Sequence, residues 1–400
     1  MSDLGGELSN TRRWAITGLL FVSGFINYLH RVIISVALPI VGIDLHLNPV
    51  GKGVLLSAFF WSYAFMQVPI GWLADRFSLR WLYAGAFALW TLVCGFSGFA
   101  RTLEVLIVLR IIMGVGESIY LPGGMKAVSL FFGAKERGLA SGLVNCGTRA
   151  GLALGAPLIA VLVARMGWKN TFMVLGFGGM LWLVPWLEVF PARTHSAALR
   201  SKGSAVRSWT WMDRNLLAMS GLNFCYGYYW YLLVTWLPDY LVVARHLSLR
   251  RTGVYVAMPF LVYMVCEPLG GWVADLLIRF GWTEVRSRKT VIAGAYLTSL
   301  MFLPVSYVTS DVEAIILVGG ASLVGLATGN MFALLQRYAP AGETGLWTGF
   351  MSFGGNVSGI AGPIVTGLLI AKTHSYTPGF VVSIAALLVG LPFLTMLRGH

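Results

Sequence analysis

Charged residues are scarce in this chain of 400 residues. Asp, Glu, Lys and Arg together make up 11% of it, whereas 57% is hydrophobic and the mean hydropathy is +0.75. A soluble domain carries roughly 25% charged residues, because its surface must face water. The composition excludes a soluble globular protein and indicates helices of roughly 20 apolar residues that span a bilayer. The apolar segments are continuous rather than alternating, which excludes a closed β-barrel.

Cysteine is also rare, and its placement is uninformative. The four cysteines stand singly in apolar stretches, without a CxxC pair or a partnering histidine. We therefore expect buried hydrophobic cysteines, no metal site and no cofactor. The first ten residues are polar, and no small-residue cleavage site follows the first apolar run, so we expect no removable signal peptide.

Twelve apolar segments separated by short polar breaks lie between residues 14 and 397. This pattern predicts an all-α membrane protein with about twelve transmembrane helices. The longest and most polar break runs from Pro191 to Arg214 and separates six segments from six. We expect a six-helix bundle at residues 1–190, a cytoplasmic linker at 191–213 and a second six-helix bundle at 214–400.

The basic residues give the chain its formal net charge of +13 and also predict its orientation. When the polar breaks are assigned alternately to the two sides, 17 basic residues lie on the side of Arg12 and Arg13, and 8 lie on the other. The positive-inside rule then predicts cytoplasmic termini. A charge within a span costs about 2.5–3.5 kcal/mol, so it indicates function. Four basic residues fall inside apolar segments: Arg31, Arg110, Lys126 and Arg149.

The two halves of the chain repeat each other. Gly71-Trp-Leu-Ala-Asp75 recurs as Gly271-Trp-Val-Ala-Asp275, and the prolines at 157 and 363 hold corresponding positions. Parallel repeats of six spans resemble the major facilitator superfamily. That resemblance implies two pseudo-symmetric six-helix bundles, with the substrate site between them near the midplane.

The loop after the second segment carries a further resemblance. Gly71-Trp-Leu-Ala-Asp75-Arg76-Phe-Ser78-Leu-Arg80 is similar to the superfamily signature G-x-L-x-D-R-x-G-R-K, although Ser78 departs from it. The resemblance implies that Gly71, Asp75, Arg76 and Arg80 form a gating motif. A simple cluster of orienting charges is the alternative.

Other motifs resemble one branch, the anion:cation symporters, which include sugar-acid and aromatic-acid permeases. The first segment reads Asn27-Tyr-Leu-His30-Arg31, like N-Y-x-D-R, and the fourth reads Arg110-Ile-Ile-Met-Gly-Val-Gly-Glu117, like R-x-x-x-G-x-x-E. The resemblance implies an organic anion as substrate, its carboxylate at Arg31, a protonation site at Glu117 and an inner-membrane location. The planar guanidinium of arginine can donate two parallel hydrogen bonds to a carboxylate, which suits this role.

The chemistry of the charged positions leaves alternatives open. Glu117 follows Arg110 by seven residues, two helical turns, so both lie on one face. A structural ion pair with Arg110 or Arg31 is the alternative to proton transfer. His30 stands where the family has aspartate, and it is either a second proton-coupling group or a packed polar side chain.

Further polar residues complete the candidate substrate site. The resemblance suggests that Tyr63 contacts substrate and that Thr148 replaces a family glutamine. The remaining candidates are polar groups of the fifth and eleventh segments: Asn145, Arg149, Ser352 and Asn356.

Together these observations predict a secondary active transporter of a small carboxylate, coupled to protons and working by alternating access. An exchanger or facilitator of the same fold is the runner-up, favoured by Gly151-x-x-x-Gly155-Ala-Pro157. Gly95-Phe-Ser97-Gly98 matches a rhomboid-protease motif, but the repeat argues against an enzyme, so we predict no catalytic residues. We also expect a monomer in the bilayer and no nucleic-acid partner.

Overall fold

A computed structural model describes residues 9–132, 134–192, 213–340 and 344–397. Contacts between Cα atoms divide these residues into two compact units. The first holds the described residues up to 47 and those from 58 to 192, and the second holds residues 48–57 and those from 213 onward. The predicted linker, 191–213, falls almost entirely outside the described residues, so the domain boundaries stay a prediction.

The described part of the first unit consists of helices joined by short turns. Its helices are α1 (Asn10–Asp44), α2 (Pro49–Arg76, from residue 58 on), α3 (Leu79–Ser97), α4 (Leu103–Glu117), α5 (Tyr120–Phe131), α6 (Ala134–Gly179) and α7 (Leu183–Val189).

The second unit is built in the same way. Its helices are α8 (Arg214–Val243), α9 (Leu249–Arg279), α10 (Glu284–Thr298), α11 (Asp311–Ala321), α12 (Leu326–Tyr338), α13 (Thr344–Thr373) and α14 (Thr377–Met396). Short 3-10 segments at Ser299–Ser306 and Ser322–Gly325 extend α10 and join α11 to α12.

The described helices account for the predicted number of membrane passes. Nine segments are long and apolar enough to cross a bilayer. One of them, Gly142–Val189, contains Gly167 with φ 78° and ψ 165°, a conformation open to glycine that breaks it into two passes. Helices α2 and α8, with 28 and 30 residues, also exceed the length of one pass. The prediction of an all-α membrane protein is confirmed.

Close helix contact in the first unit depends on small residues. A Cβ atom at Gly147 of α6 would collide with the carbonyl oxygen of Phe21 in α1, and one at Gly151 would lie 2.7 Å from the carbonyl oxygen of Phe25. In lipid, helices associate through close packing of this kind, because the hydrophobic effect gives no advantage there. The glycines therefore let α1 and α6 pack closely. This packing fixes which face of α1 is turned toward the other helices of the unit.

A buried ion pair ties two helices of the second unit together. The Lys52 ammonium at the start of α2 donates to Asp239 Oδ1 of α8 over 2.8 Å, and the Tyr376 hydroxyl donates to Asp239 Oδ2 over 2.6 Å. Asp239 is fully buried. Burial and the adjacent Asp239 carboxylate raise the pKa of Tyr376, so its phenol stays protonated and remains a donor.

We predict that Asp239→Ala destabilises the protein by about 3–5 kcal/mol, because it leaves the Lys52 ammonium inside the protein without its counter-charge. The unfolding temperature in detergent micelles measures this loss. The double variant Lys52→Met with Asp239→Leu removes both charges and should recover most of the stability. A double variant as unstable as the single one would show that the ion pair is not the cause.

Candidate functional site

Helix α4 ends in the middle of a membrane pass and carries two charged residues. Arg110 and Glu117 lie on it seven residues apart, and Glu117 is its last residue. Pro122 has no amide hydrogen to donate, and its ring clashes with the carbonyl four residues earlier, so the helical ladder breaks between α4 and α5. The carboxylate of Glu117 therefore sits at a helix break within the pass.

Two glycines between these charges let neighbouring helices approach α4. A Cβ atom at Gly114 would collide with the backbone of Phe59 and the hydroxyl of Ser62 in α2. One at Gly116 would lie 3.0 Å from both the Ala86 carbonyl oxygen and Trp90 of α3. The Arg110–Glu117 motif thus has a charged residue at each end and, between them, the glycines that make room for α2 and α3.

Arg31 of α1 forms an ion pair with Glu117. Its Nε atom donates to Glu117 Oε2 over 2.7 Å, and the two side chains are 10% and 0% exposed. The guanidinium carbon also lies 4.3, 4.4 and 5.0 Å from the ring centroids of Tyr63, Phe59 and Tyr28. Each ring attracts a cation through its negative face. Arg31 is therefore held by one carboxylate and three aromatic rings.

Arg110 lies beside the same cluster but has no carboxylate partner among the described residues. Its side chain is 4% exposed, and its Nε atom has no hydrogen-bond acceptor. One terminal nitrogen lies 4.0 Å from the sulfur of Met113, and the guanidinium carbon lies 5.8 Å from the Phe59 ring centroid. Of the two ion pairs left open by the sequence, Glu117 forms the one with Arg31 and not the one with Arg110.

Other polar atoms around Glu117 are also unsatisfied within the described chain. The Oε1 atom of Glu117 and both amide atoms of the fully buried Asn27 have no hydrogen-bond partner there. Buried polar groups in proteins are normally satisfied by protein, water or ligand. The cluster therefore has hydrogen-bonding capacity that the described chain does not use.

His30 adjoins Arg31 in sequence but points to a different helix. Its ring is fully buried, and Nε2 lies 3.1 Å from the carbonyl oxygen of Leu175 in α6. A carbonyl oxygen accepts hydrogen bonds, so Nε2 carries the proton that the ring donates. The contact favours the packed polar role over the proton-coupling role, the two alternatives that the sequence leaves open.

Of the predicted residues of α6, Thr148 uses its hydroxyl within that helix. The Thr148 hydroxyl donates to the backbone carbonyl of Asn145 over 2.7 Å, and the Asn145 side chain is exposed. Arg149 is half-buried. The hydroxyl proton of Thr148 is therefore used within α6 and not at the ion-paired cluster around Arg31.

The predicted residues of α13 belong to the second unit. Asn356 accepts a hydrogen bond from the Tyr231 hydroxyl of α8 over 2.9 Å, and both Ser352 and Asn356 are half-buried. They give that unit a polar face between α8 and α13.

The loop motif lies at the end of α2 and the start of α3. Gly71 has open space around it, and the Arg76 guanidinium stacks 4.0 Å from the Trp72 ring centroid. Arg80 donates to the carbonyl oxygen of Leu187 in α7. The side chain of Asp75 falls outside the described set, so its predicted latch stays a prediction.

Sequence reasoning did not assign Tyr28, Phe59 or Asn27 to the site. A signal for Phe59 existed, because it precedes Tyr63 by four residues and so shares its helix face. The two rings stack with centroids 5.0 Å apart. Tyr28 lies three residues before Arg31, which also places it on the same face as that residue.

The fold and this buried charge cluster define a polytopic membrane carrier, and the chain belongs to the Major Facilitator Superfamily. The model of that family matches residues 20–345 and 219–399. A solved structure of a bacterial homologue of the human lysosomal transporter Spinster has a TM-score of 0.83 with 16% identity over 97% of both chains. The nucleoside transporter NupG has a TM-score of 0.76 with 11% identity, over 96% of this chain and 100% of its own. The predicted facilitator fold is confirmed.

Sequence relatives belong to the predicted branch of organic-anion carriers. The chain is 30% identical to the probable sulfoacetate transporter SauU of Cupriavidus necator, over 94% of this chain and 92% of the relative. It is 29% identical to the probable L-galactonate transporter of Escherichia coli, over 91% and 84%. It is also 29% identical to the probable galactarate/D-glucarate transporter GudP of Bacillus subtilis, over 92% and 88%. The prediction of a transporter rather than an enzyme is confirmed.

We predict that His30→Gln retains transport with an unchanged pH profile, because a glutamine amide also donates to the Leu175 carbonyl. His30→Ala leaves that carbonyl without its hydrogen-bond donor and creates a cavity. It should lower the stability by about 1–3 kcal/mol. Uptake at a series of pH values, with unfolding temperatures, separates the two variants. A shifted pH profile in His30→Gln would instead assign His30 to proton coupling.

Proposed function

We propose that this protein carries a small organic acid across the inner membrane together with a proton. The observation that supports this most directly is the Arg31–Glu117 ion pair, 2.7 Å long and enclosed by aromatic rings. The donors with which this arginine binds a carboxylate of its own chain also match the carboxylate of a substrate. The names of the relatives, transporters of sulfoacetate, galactonate, galactarate and glucarate, favour acids of that size.

In the proposed cycle the substrate acid group and a proton exchange places with the ion pair. When Glu117 takes a proton it no longer neutralises Arg31, and the substrate carboxylate replaces it. The loaded carrier then exposes the site to the other side of the membrane by alternating access. Uptake of the proton lowers the negative charge that must move against an inside-negative potential, which opposes each charge by roughly 2.3 kcal/mol per 100 mV.

The remaining predicted residues have supporting roles in this proposal. Tyr63, Arg110, Asn145, Thr148 and Arg149 are proposed to contact substrate from the first unit. Ser352 and Asn356 are proposed to do so from the second. Gly71, Asp75, Arg76 and Arg80 are proposed as the gating motif, and both termini as cytoplasmic.

Exchange or facilitated passage of an acid without a proton is the second candidate. The turned-away ring of His30 favours it, because that ring is held by the Leu175 carbonyl rather than by the charge cluster. Proton dependence of uphill uptake decides between the two candidates.

We predict that Arg31→Ala lowers the affinity for substrate by about 10- to 150-fold, since hydrogen bonds to charged groups contribute about 1.5–3 kcal/mol. Thermal-shift titration with carboxylates measures the affinity. Arg31→Lys keeps a cation opposite Glu117 and tests folding, and Arg286→Ala removes an exposed basic residue elsewhere as a matched control. Unchanged affinity in Arg31→Ala would remove Arg31 from the site.

We predict that Glu117→Gln abolishes uphill accumulation driven by a pH gradient but spares exchange of substrate for substrate. The amide mimics the protonated acid and cannot release a proton, so the cycle still binds and reorients. Reconstituted liposomes with and without a pH gradient give both activities. Intact uphill uptake in this variant would place the proton elsewhere.

A further inference from the structure

The Arg110 guanidinium, which has no salt-bridge partner among the described residues, carries information about the charge of the substrate. Its side chain is buried, its Nε atom has no acceptor, and no carboxylate of the described residues pairs with it. Burying an isolated cation is costly, so such groups are paired in functional states. Glu117 forms its salt bridge with Arg31, from whose Nε atom Glu117 Oε2 accepts, and it lies beyond salt-bridge distance of Arg110.

Arg110 and Arg31 are close enough to bind one small molecule. The two guanidinium carbons lie 5.8 and 4.4 Å from the centroid of the same Phe59 ring. They are therefore within about 10 Å of each other, a span that a short or six-carbon diacid covers. Both side chains belong to the first unit, on α4 and α1.

Counting formal charges links the substrate to the proton. With Glu117 ionised, Arg31, Arg110 and Glu117 carry a net charge of +1, and with Glu117 protonated they carry +2. A monoanion neutralises the first state and needs no proton. A dianion neutralises the second, with one acid group on each arginine. The aromatic rings around Arg31 exclude water, so an imbalance of one charge is poorly screened there.

We propose that the coupled substrate is a dianion, an acid with two ionised groups, which binds across Arg31 and Arg110 as Glu117 takes one proton. This rests on the proposed function and names its substrate class. A dicarboxylate and a sulfonate-carboxylate both satisfy this geometry and charge. Monoanions bind the same cluster without the proton and are not coupled to the gradient.

Other titratable or charged groups face Glu117 from the surrounding helices. They are Arg31 of α1, Tyr63 of α2, Cys94 of α3 and Arg110 of α4. The Nε2 atom of His30 donates to the carbonyl oxygen of Leu175. Both arginines keep their charge near neutral pH, and the tyrosine and the cysteine are neutral hydrogen-bonding groups, which leaves Glu117 as the member of this set that exchanges the proton.

Matched pairs of acids test this inference on the purified, full-length protein. Galactarate and galactonate share a six-carbon polyhydroxy skeleton and differ only in the second carboxylate. Sulfoacetate and acetate form a short pair that differs in the sulfonate. Affinities are measured from mildly acidic to mildly alkaline pH at constant chloride. A dianion that binds with one proton should gain about tenfold in affinity for each unit of falling pH, and its monoanion partner less than twofold.

Two variants make the result specific to the cluster. In Glu117→Gln the pH dependence of dianion binding should disappear, because the proton is replaced by a permanent amide. In Arg110→Gln the affinity for the dianion should fall at least tenfold more than that for its monoanion partner. Arg110→Lys, which keeps the charge, is the control for folding, together with the unfolding temperature.

The outcomes separate this inference from the proposed function. Binding of a dianion with the stated pH dependence, and of its partner without it, supports the inference. Equal affinity and equal pH dependence within a pair overturn the inference while leaving an acid carrier intact. Absence of binding by all four acids overturns both.

Discussion

A salt bridge enclosed by aromatic side chains is the constraint on which the rest of this structure depends. The Arg31–Glu117 pair is nearly or fully buried at each end, and removing one charge from such a pair leaves the other exposed to a low-dielectric interior. Any event that dissolves the pair must therefore supply a replacement for each partner. In the proposed cycle a proton replaces Arg31 at the carboxylate, and an acid group replaces Glu117 at the guanidinium. This double requirement is the proposed basis of coupling.

The backbone around the pair is shaped by residues that have little chemistry of their own. Gly114 and Gly116 admit α2 and α3 against α4, and Gly147 and Gly151 admit α6 against α1. Larger side chains at these positions would separate the helices and move the charges apart. Pro122 interrupts the helical hydrogen-bond ladder just after Glu117, so α4 ends there and α5 begins at Tyr120. Small residues and one proline thus determine the distances on which the charge chemistry depends.

Much of the candidate site could be predicted from the sequence, because a charged residue inside an apolar segment carries a free-energy cost in a membrane and is easily recognised. Charged residues inside apolar segments are rare, so Arg31, Arg110 and Glu117 were identifiable from the sequence alone. Which arginine pairs with Glu117 was not. Helical spacing relates only residues of one helix, so it left Arg31 and Arg110 both open as partners of Glu117, whereas the register between α1 and α4 is set by packing. The contact of Asp239 with Lys52 also depends on packing between distant segments. The ring of His30 could point to either side, and the Leu175 carbonyl decides its direction.

The central claim is that substrate binding and protonation of Glu117 are one event. Infrared difference spectroscopy on the purified protein observes it directly, because a protonated carboxyl has a carbonyl band that a carboxylate lacks. Adding galactarate at a pH where the free carrier is ionised should produce that band, and the band should be missing in Glu117→Gln. Bound, saturating galactarate that leaves the carboxylate signal of the wild-type protein unchanged would contradict the account.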